Sequence, residues 1–235
     1  PRNTFALRSQ TAVTTDIDVG LRAYRLRVYN YMTAGLALTG IVAYLTASSE
    51  TMTQVIFGTP LMWVVIFAPL ALVFFMSFRL HKMSFATAQT TFWIYAALNG
   101  LAFSSIFLVY TGTSIARVFF ISAGMFAAMS LYGYTTKRDL SGFGSFLIMG
   151  LFGVIIASIV NLFLASSTMS FAISVIGVLV FTGLTAYDTQ KIKEWYVEGD
   201  DGETMGKKAI MGALNLYLDF INLFLMMLRL LGNRN

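Results

Sequence analysis

The chain has 235 residues, of which 57% are hydrophobic and only 11% charged, with 16 Lys and Arg against 11 Asp and Glu. A soluble domain carries about 25% charged residues, so this composition excludes a water-soluble globule and points to lipid as the solvent. Cysteine is absent and His81 is the single histidine. Disulfides, thiolate metal sites, a cysteine nucleophile and histidine-rich metal centres are therefore excluded.

The first 23 residues are polar and contain no apolar run followed by a small-residue cleavage site, so the sequence predicts a polar tail over 1–23 and a membrane domain over 24–235. No signal peptide is expected, and the first span serves as its own insertion signal. Seven apolar stretches follow, at 24–47, 55–79, 84–110, 113–135, 142–165, 168–193 and 208–231. Each is long enough to cross about 30 Å of hydrocarbon at about 1.5 Å per residue. They are continuously apolar rather than alternating, which predicts helices and not a barrel. The weakest boundary is Thr111-Gly-Thr113, between the third and fourth stretches. Pro69 is expected to kink the second helix. Gly35, Gly40, Gly150, Gly153, Gly177 and Gly183 are candidates for close helix packing.

The connections are short, so charge predicts orientation. Arg2, Arg8, Arg22, Arg25, Arg27, Arg79, Lys82, Lys137, Arg138, Lys191, Lys193, Lys207 and Lys208 fall on one side. Arg117, Arg229 and Arg234 fall on the other. The positive-inside rule then puts the N-terminus in the cytoplasm and the C-terminus outside. This asymmetry accounts for the net charge of +5 through anionic headgroups, with no nucleic-acid partner implied.

Nine of the acidic residues fall in the tail, a loop or a helix end: Asp16, Asp18, Glu50, Asp139, Glu194, Glu198, Asp200, Asp201 and Glu203. The other two do not. Asp188 lies near the end of the sixth stretch and Asp219 in the middle of the seventh. A carboxylate inside a bilayer costs several kcal/mol unless it is paired, hydrated or protonated, so such a residue is a functional-site candidate by default. Counted from Lys208 and from Tyr196, the two lie at similar depths, about 16 and about 12 Å. Asn215, Asp219, Asn222 and Arg229 are spaced at 4, 3 and 7 residues, which is one helical stripe. Two carboxylates facing each other in low dielectric would share a proton. When ionised they would make an oxygen-rich site of the kind calcium takes, so both are also candidate, transient Ca2+ ligands. Arg79, at the cytoplasmic end of the second helix, is placed to compete for Asp188, or else to anchor at headgroups. Arg229 reads as an interfacial anchor and His81 as an interface residue. The bland alternative for the acidic pair is polar glue between helices.

An intramembrane aspartyl protease is a poor match. Asp219 follows Leu216-Tyr-Leu rather than Gly-x-Gly, and no proline occurs after Pro69. No phosphate-binding loop, metal-ligand spacing or believable serine triad is present, so no enzyme and no resident cofactor is expected.

Three stretches carry a family resemblance: Ser130-Leu-Tyr-Gly-Tyr-Thr-Thr-Lys-Arg-Asp-Leu-Ser141, Ala186-Tyr-Asp-Thr-Gln190 and Leu214-Asn-Leu-Tyr-Leu-Asp-Phe-Ile-Asn-Leu-Phe-Leu225. They resemble the bacterial branch of the Bax inhibitor-1 family, over about Arg22 to Arg234. The resemblance implies an all-helical fold of seven transmembrane helices, six of them around the C-terminal seventh, in the bacterial inner membrane. It implies a pH-sensitive calcium leak gated by Asp188 and Asp219, with Arg79 as a latch. Some members pair Arg229's counterpart with an acidic residue in the second helix, and this chain has no Asp or Glu there. The resemblance also allows a second role, a non-conducting monomer that modulates a membrane quality-control protease or stress response. The tail 1–23 would then be its handle.

Overall fold

The computed structural model describes the backbone of residues 2–235 and the side chains of 19–80 and 82–235. The side chains of residues 1–18 of the expected tail, and that of His81, lie outside the described residues. Among the described residues there are eight α-helices and one 3-10 turn, Leu80–Lys82. They are α1 (Arg2–Ala47), α2 (Glu50–Phe57), α3 (Leu61–Arg79), α4 (Phe85–Val109), α5 (Gly112–Thr135), α6 (Ser141–Leu164), α7 (Ser167–Glu194) and α8 (Gly202–Leu231). All but α2 contain a segment long and apolar enough to cross a membrane, which for α1 is Val19–Ala47.

Side-chain caps explain the breaks. The orphan N–H groups of a helix start need an acceptor. Ser84, Thr111, Ser166 and Asp201 each supply one, to Thr87, Ser114, Met169 and Thr204 respectively. Thr111 thus separates α4 from α5 and settles the weakest boundary in favour of seven spans. The stretch 55–79 is corrected: it is two helices, because Gly58-Thr-Pro60 interrupts it and proline has no N–H to continue a helix. The α-helix of α3 is continuous through Pro69. Helix α8 begins at Gly202, six residues before the expected entry at Lys208.

Helix α8 forms the centre, with 72% of its apolar window buried, against 11% for α6. It packs directly on α1, α4, α5 and α7. Helix α3 lies mainly against α4, and α6 mainly against α7, as an outer layer. Helices α5 and α7 approach closely at Gly133, where a Cβ would collide with the Ala186 carbonyl oxygen. Of the six glycines singled out, Gly35, Gly177 and Gly183 pack tightly under Phe92, Met226 and Leu147, and Gly150 more loosely under Val180. Gly40 and Gly153 face open space.

The basic residues segregate along the bundle axis. At one end Lys193 Nζ donates to Tyr134 O (3.3 Å) and Lys208 Nζ to Trp195 O (2.9 Å). At the other, Arg117 donates to Leu231 O (3.2 Å), and Arg234 lies 6.0 Å from the Tyr110 ring centroid. Backbone hydrogen bonds from Thr111 N to Asn233 O (3.1 Å) and from Asn235 N to Val109 O (3.0 Å) tie the last residues to the α4–α5 turn.

Candidate functional site

Asp188 projects from α7 and Asp219 from α8, and both line one cleft. The structure thus brings the two acidic residues singled out in the sequence to the same cleft. Asp219 is only 4% exposed, and its Oδ2 has no hydrogen-bond partner. Two ionised carboxylates hold acceptors only, so a bond between them requires one proton. The geometry suits a pair that carries one proton between two carboxyls.

The pair opens on a cleft of about 590 Å³ between α6, α7 and α8. Helix α6 contributes an apolar wall, including Leu151, Val154 and Ile155, interrupted by Ser158. Asn215 and Asn222 line the α8 side, one turn to either side of Asp219. Asn222 Nδ2 donates back to Leu218 O (2.8 Å), which leaves its side-chain oxygen for the cleft. Lys191 lies one turn from Asp188, at the basic end of the cleft, and its charge acts on that carboxyl. Its Nζ lies 5.6 Å from the ring centroid of Tyr187 and 5.7 Å from that of Trp195.

Other expected site residues are placed differently. Arg79 is exposed at the end of α3, does not line the cleft, and has no carboxylate within salt-bridge distance among the described residues. It does not latch Asp188 in this structure, because α3 packs on α4 rather than on α7. Arg229 is exposed and lines an adjoining cleft of about 310 Å³, which shares Ser158 and Ile159 with the first. The polar stripe of α8 thus divides, with Asn215, Asp219 and Asn222 at one cleft and Arg229 at the next. Thr185, one turn from Asp188, donates instead to Phe181 O (2.8 Å) in its own helix.

Sequence reasoning missed the residues that hold α7 in place. Gln190 accepts from Leu140 N (2.8 Å) and donates to Arg138 O (2.8 Å), which fastens the α5–α6 loop to α7. Thr189 bonds Ser130 (3.1 Å), and Ser130 bonds Tyr29. The stretch 130–141 therefore lies along 186–190, and 186–190 presents Asp188 to Asp219. The signal that existed was the recurrence of polar residues inside an otherwise apolar segment. Asp139 and Asp201, outside the spans, are held below the ordinary carboxylate range by hydrogen bonds from Ser141 and Thr204. Neither titrates near neutral pH.

Seven apolar helices with α8 at the centre, and two acidic side chains on one cleft within the bundle, define a polytopic helical membrane protein. Residues 21–235 match the family described as inhibitor of apoptosis-promoting Bax1, and the chain belongs to this Bax inhibitor-1 family. It is 54% identical over 226 residues to the Rickettsia prowazekii protein RP147, covering 95% of each chain. It is 51% identical over 218 residues to the inner membrane protein YbhL of Escherichia coli K12, covering 92% of this chain and 93% of the relative. A Streptococcus pyogenes membrane protein is 39% identical over 226 residues, covering 95% of this chain and 98% of its own.

Proposed function

We propose that the protein is a pH-sensitive cation leak, with calcium as the principal ion, gated by the proton held between Asp188 and Asp219. The observation that carries this reading is the placement of two carboxyls from α7 and α8 on one cleft inside the bundle, one of them with a buried oxygen lacking any partner. Loss of the shared proton sets two like charges against each other. At about 4 Å and an effective dielectric of about 20 that repulsion is about 4 kcal/mol. Such a term shifts an open–closed equilibrium about a thousandfold, which suffices for a gate.

The cleft favours passage over storage. A stable calcium site takes about six to eight oxygens. Here the candidates are the two carboxyls, the side-chain oxygens of Asn215 and Asn222, and Ser158. Among the described residues no group of three or more His, Cys, Asp or Glu is clustered. On this reading the protein has no resident cofactor, is not an enzyme and acts as a monomer. It lies in the bacterial inner membrane, where its relative YbhL is named, with the basic end cytoplasmic.

The test is calcium flux into liposomes between about pH 5 and 8, the range over which titration of perturbed groups commonly governs proteins. Asp188→Asn and Asp219→Asn are expected to flatten the pH profile. If both variants conduct with the wild-type profile, the gate is not this pair. If the wild type conducts nothing, the partner-binding role of residues 1–23 becomes the better account.

A further inference from the structure

On the face of the bundle away from the acidic cleft, α1 and α5 both pack on α8, but a groove of about 490 Å³ runs between them. Its walls are mostly apolar, with Met32 and Leu36 from α1, Ala123 and Phe126 from α5 and Phe220 of α8, interrupted by Tyr29, Thr33 and Ser130. Along α1 it extends from Arg25 to Leu36, about 16 Å at 1.5 Å per residue, which is about half of the roughly 30 Å hydrocarbon. It is therefore one leaflet deep. Its mouth lies at the basic end, where the Arg25 guanidinium stacks 3.0 Å from the Tyr134 ring centroid and Lys193 Nζ lies 5.1 Å from the same centroid. Two cations thus share one aromatic ring, and among the described residues neither is within salt-bridge distance of a carboxylate. Two cations gathered about Tyr134, with Arg25 itself lining the groove, make the head of the slot complementary to an anion supplied from outside.

We propose that this groove binds an anionic glycerophospholipid. One acyl chain lies between α1 and α5, and the phosphate sits against Arg25 and Lys193. A bound chain fills the groove left between α1 and α5 beside the Tyr29–Ser130 and Arg25–Tyr134 contacts, and the headgroup meets the cations at its mouth. The groove shares no lining residue with the acidic cleft.

The experiment uses the full chain in neutral detergent, with phosphatidylglycerol and phosphatidylcholine of identical chains in competition, and native mass spectrometry of the retained adduct. The wild type is expected to retain phosphatidylglycerol preferentially. Arg25→Gln should cut that preference about fivefold, the factor for one basic residue at an anionic lipid surface. Arg234→Gln, at the opposite end, should leave it unchanged. Ala123→Trp and Ala127→Phe fill the slot and should lose both lipids, and two variants guard against one failing to fold. Equal retention of the two lipids by the wild type, or wild-type retention by a folded slot-filled variant, overturns the proposal. Competition by inorganic phosphate as strong as by the lipid overturns it too, since the site would then recognise an anion without a chain.

Discussion

Helix α8 has two unlike faces. Toward α1 and α4 it presents Tyr217, fully buried, whose hydroxyl bonds Thr39 Oγ1 (2.8 Å). Thr39 in turn lies within hydrogen-bonding distance of the carbonyls of Gly35 (2.9 Å) and Ala96 (2.8 Å), so the Tyr217 hydroxyl is tied into a bonded cluster. Toward α6 and α7 the same helix presents Asp219, two residues along, with an unpartnered oxygen beside an open cleft. A buried polar group without a partner costs about 1–3 kcal/mol. The fold satisfies the Tyr217 hydroxyl through Thr39 and leaves an oxygen of Asp219 open. The first arrangement builds a scaffold, and the second keeps a group available for reaction with a proton or a cation.

That contrast can be broken or sharpened by substitution. The largest effect is expected at the support beneath the acidic face. Gly133→Val drives a side chain into the Ala186 carbonyl, and should destabilise the detergent-solubilised protein by about 3 kcal/mol or more in a denaturant titration. Asp219→Asn should act in the opposite direction. Its amide donates to Asp188 and no longer requires a proton, so thermal unfolding should occur at a higher temperature, by about 1 kcal/mol of added stability. A lower unfolding temperature would mean that the acidic face is structural after all. Tyr217→Phe should cost about 1 kcal/mol and leave the pH profile of flux intact, because it removes only a scaffold bond. Arg79→Gln should change neither stability nor the pH profile measurably, since an exposed charge contributes little. A shifted profile in this last variant would show that α3 moves over the cleft during gating.

Much of this site was legible in the sequence because the bilayer penalises charge so heavily. Asp188 and Asp219 stand out with no knowledge of packing, and helical spacing alone puts Asn215 and Asn222 beside Asp219. The supports were not legible. Gln190, Thr189 and Ser130 are neutral polar residues that a membrane helix tolerates by bonding its own backbone. Only the partner's position reveals that they reach across to another segment. The adjoining position of Arg229 also needed the structure, because helical period fixes a direction from the axis but not which neighbouring helix stands there.

Composition and hydrophobic length by themselves determined that this is a helical protein of the membrane, and the alternation of basic residues favoured seven spans. The physical reason is that backbone hydrogen bonds must close within each span when no water is at hand. The segregation of basic residues to one end was likewise present in their order along the chain. Which helices touch was decided only in three dimensions. Helix α3 packs on α4 and leaves Arg79 away from Asp188, while α6 leans on α7 and opens the cleft. Lipid offers helices almost no hydrophobic preference for one neighbour over another. Close fits such as Gly133 against Ala186 and a few side-chain hydrogen bonds make that choice, and none of them leaves a signature in a single sequence.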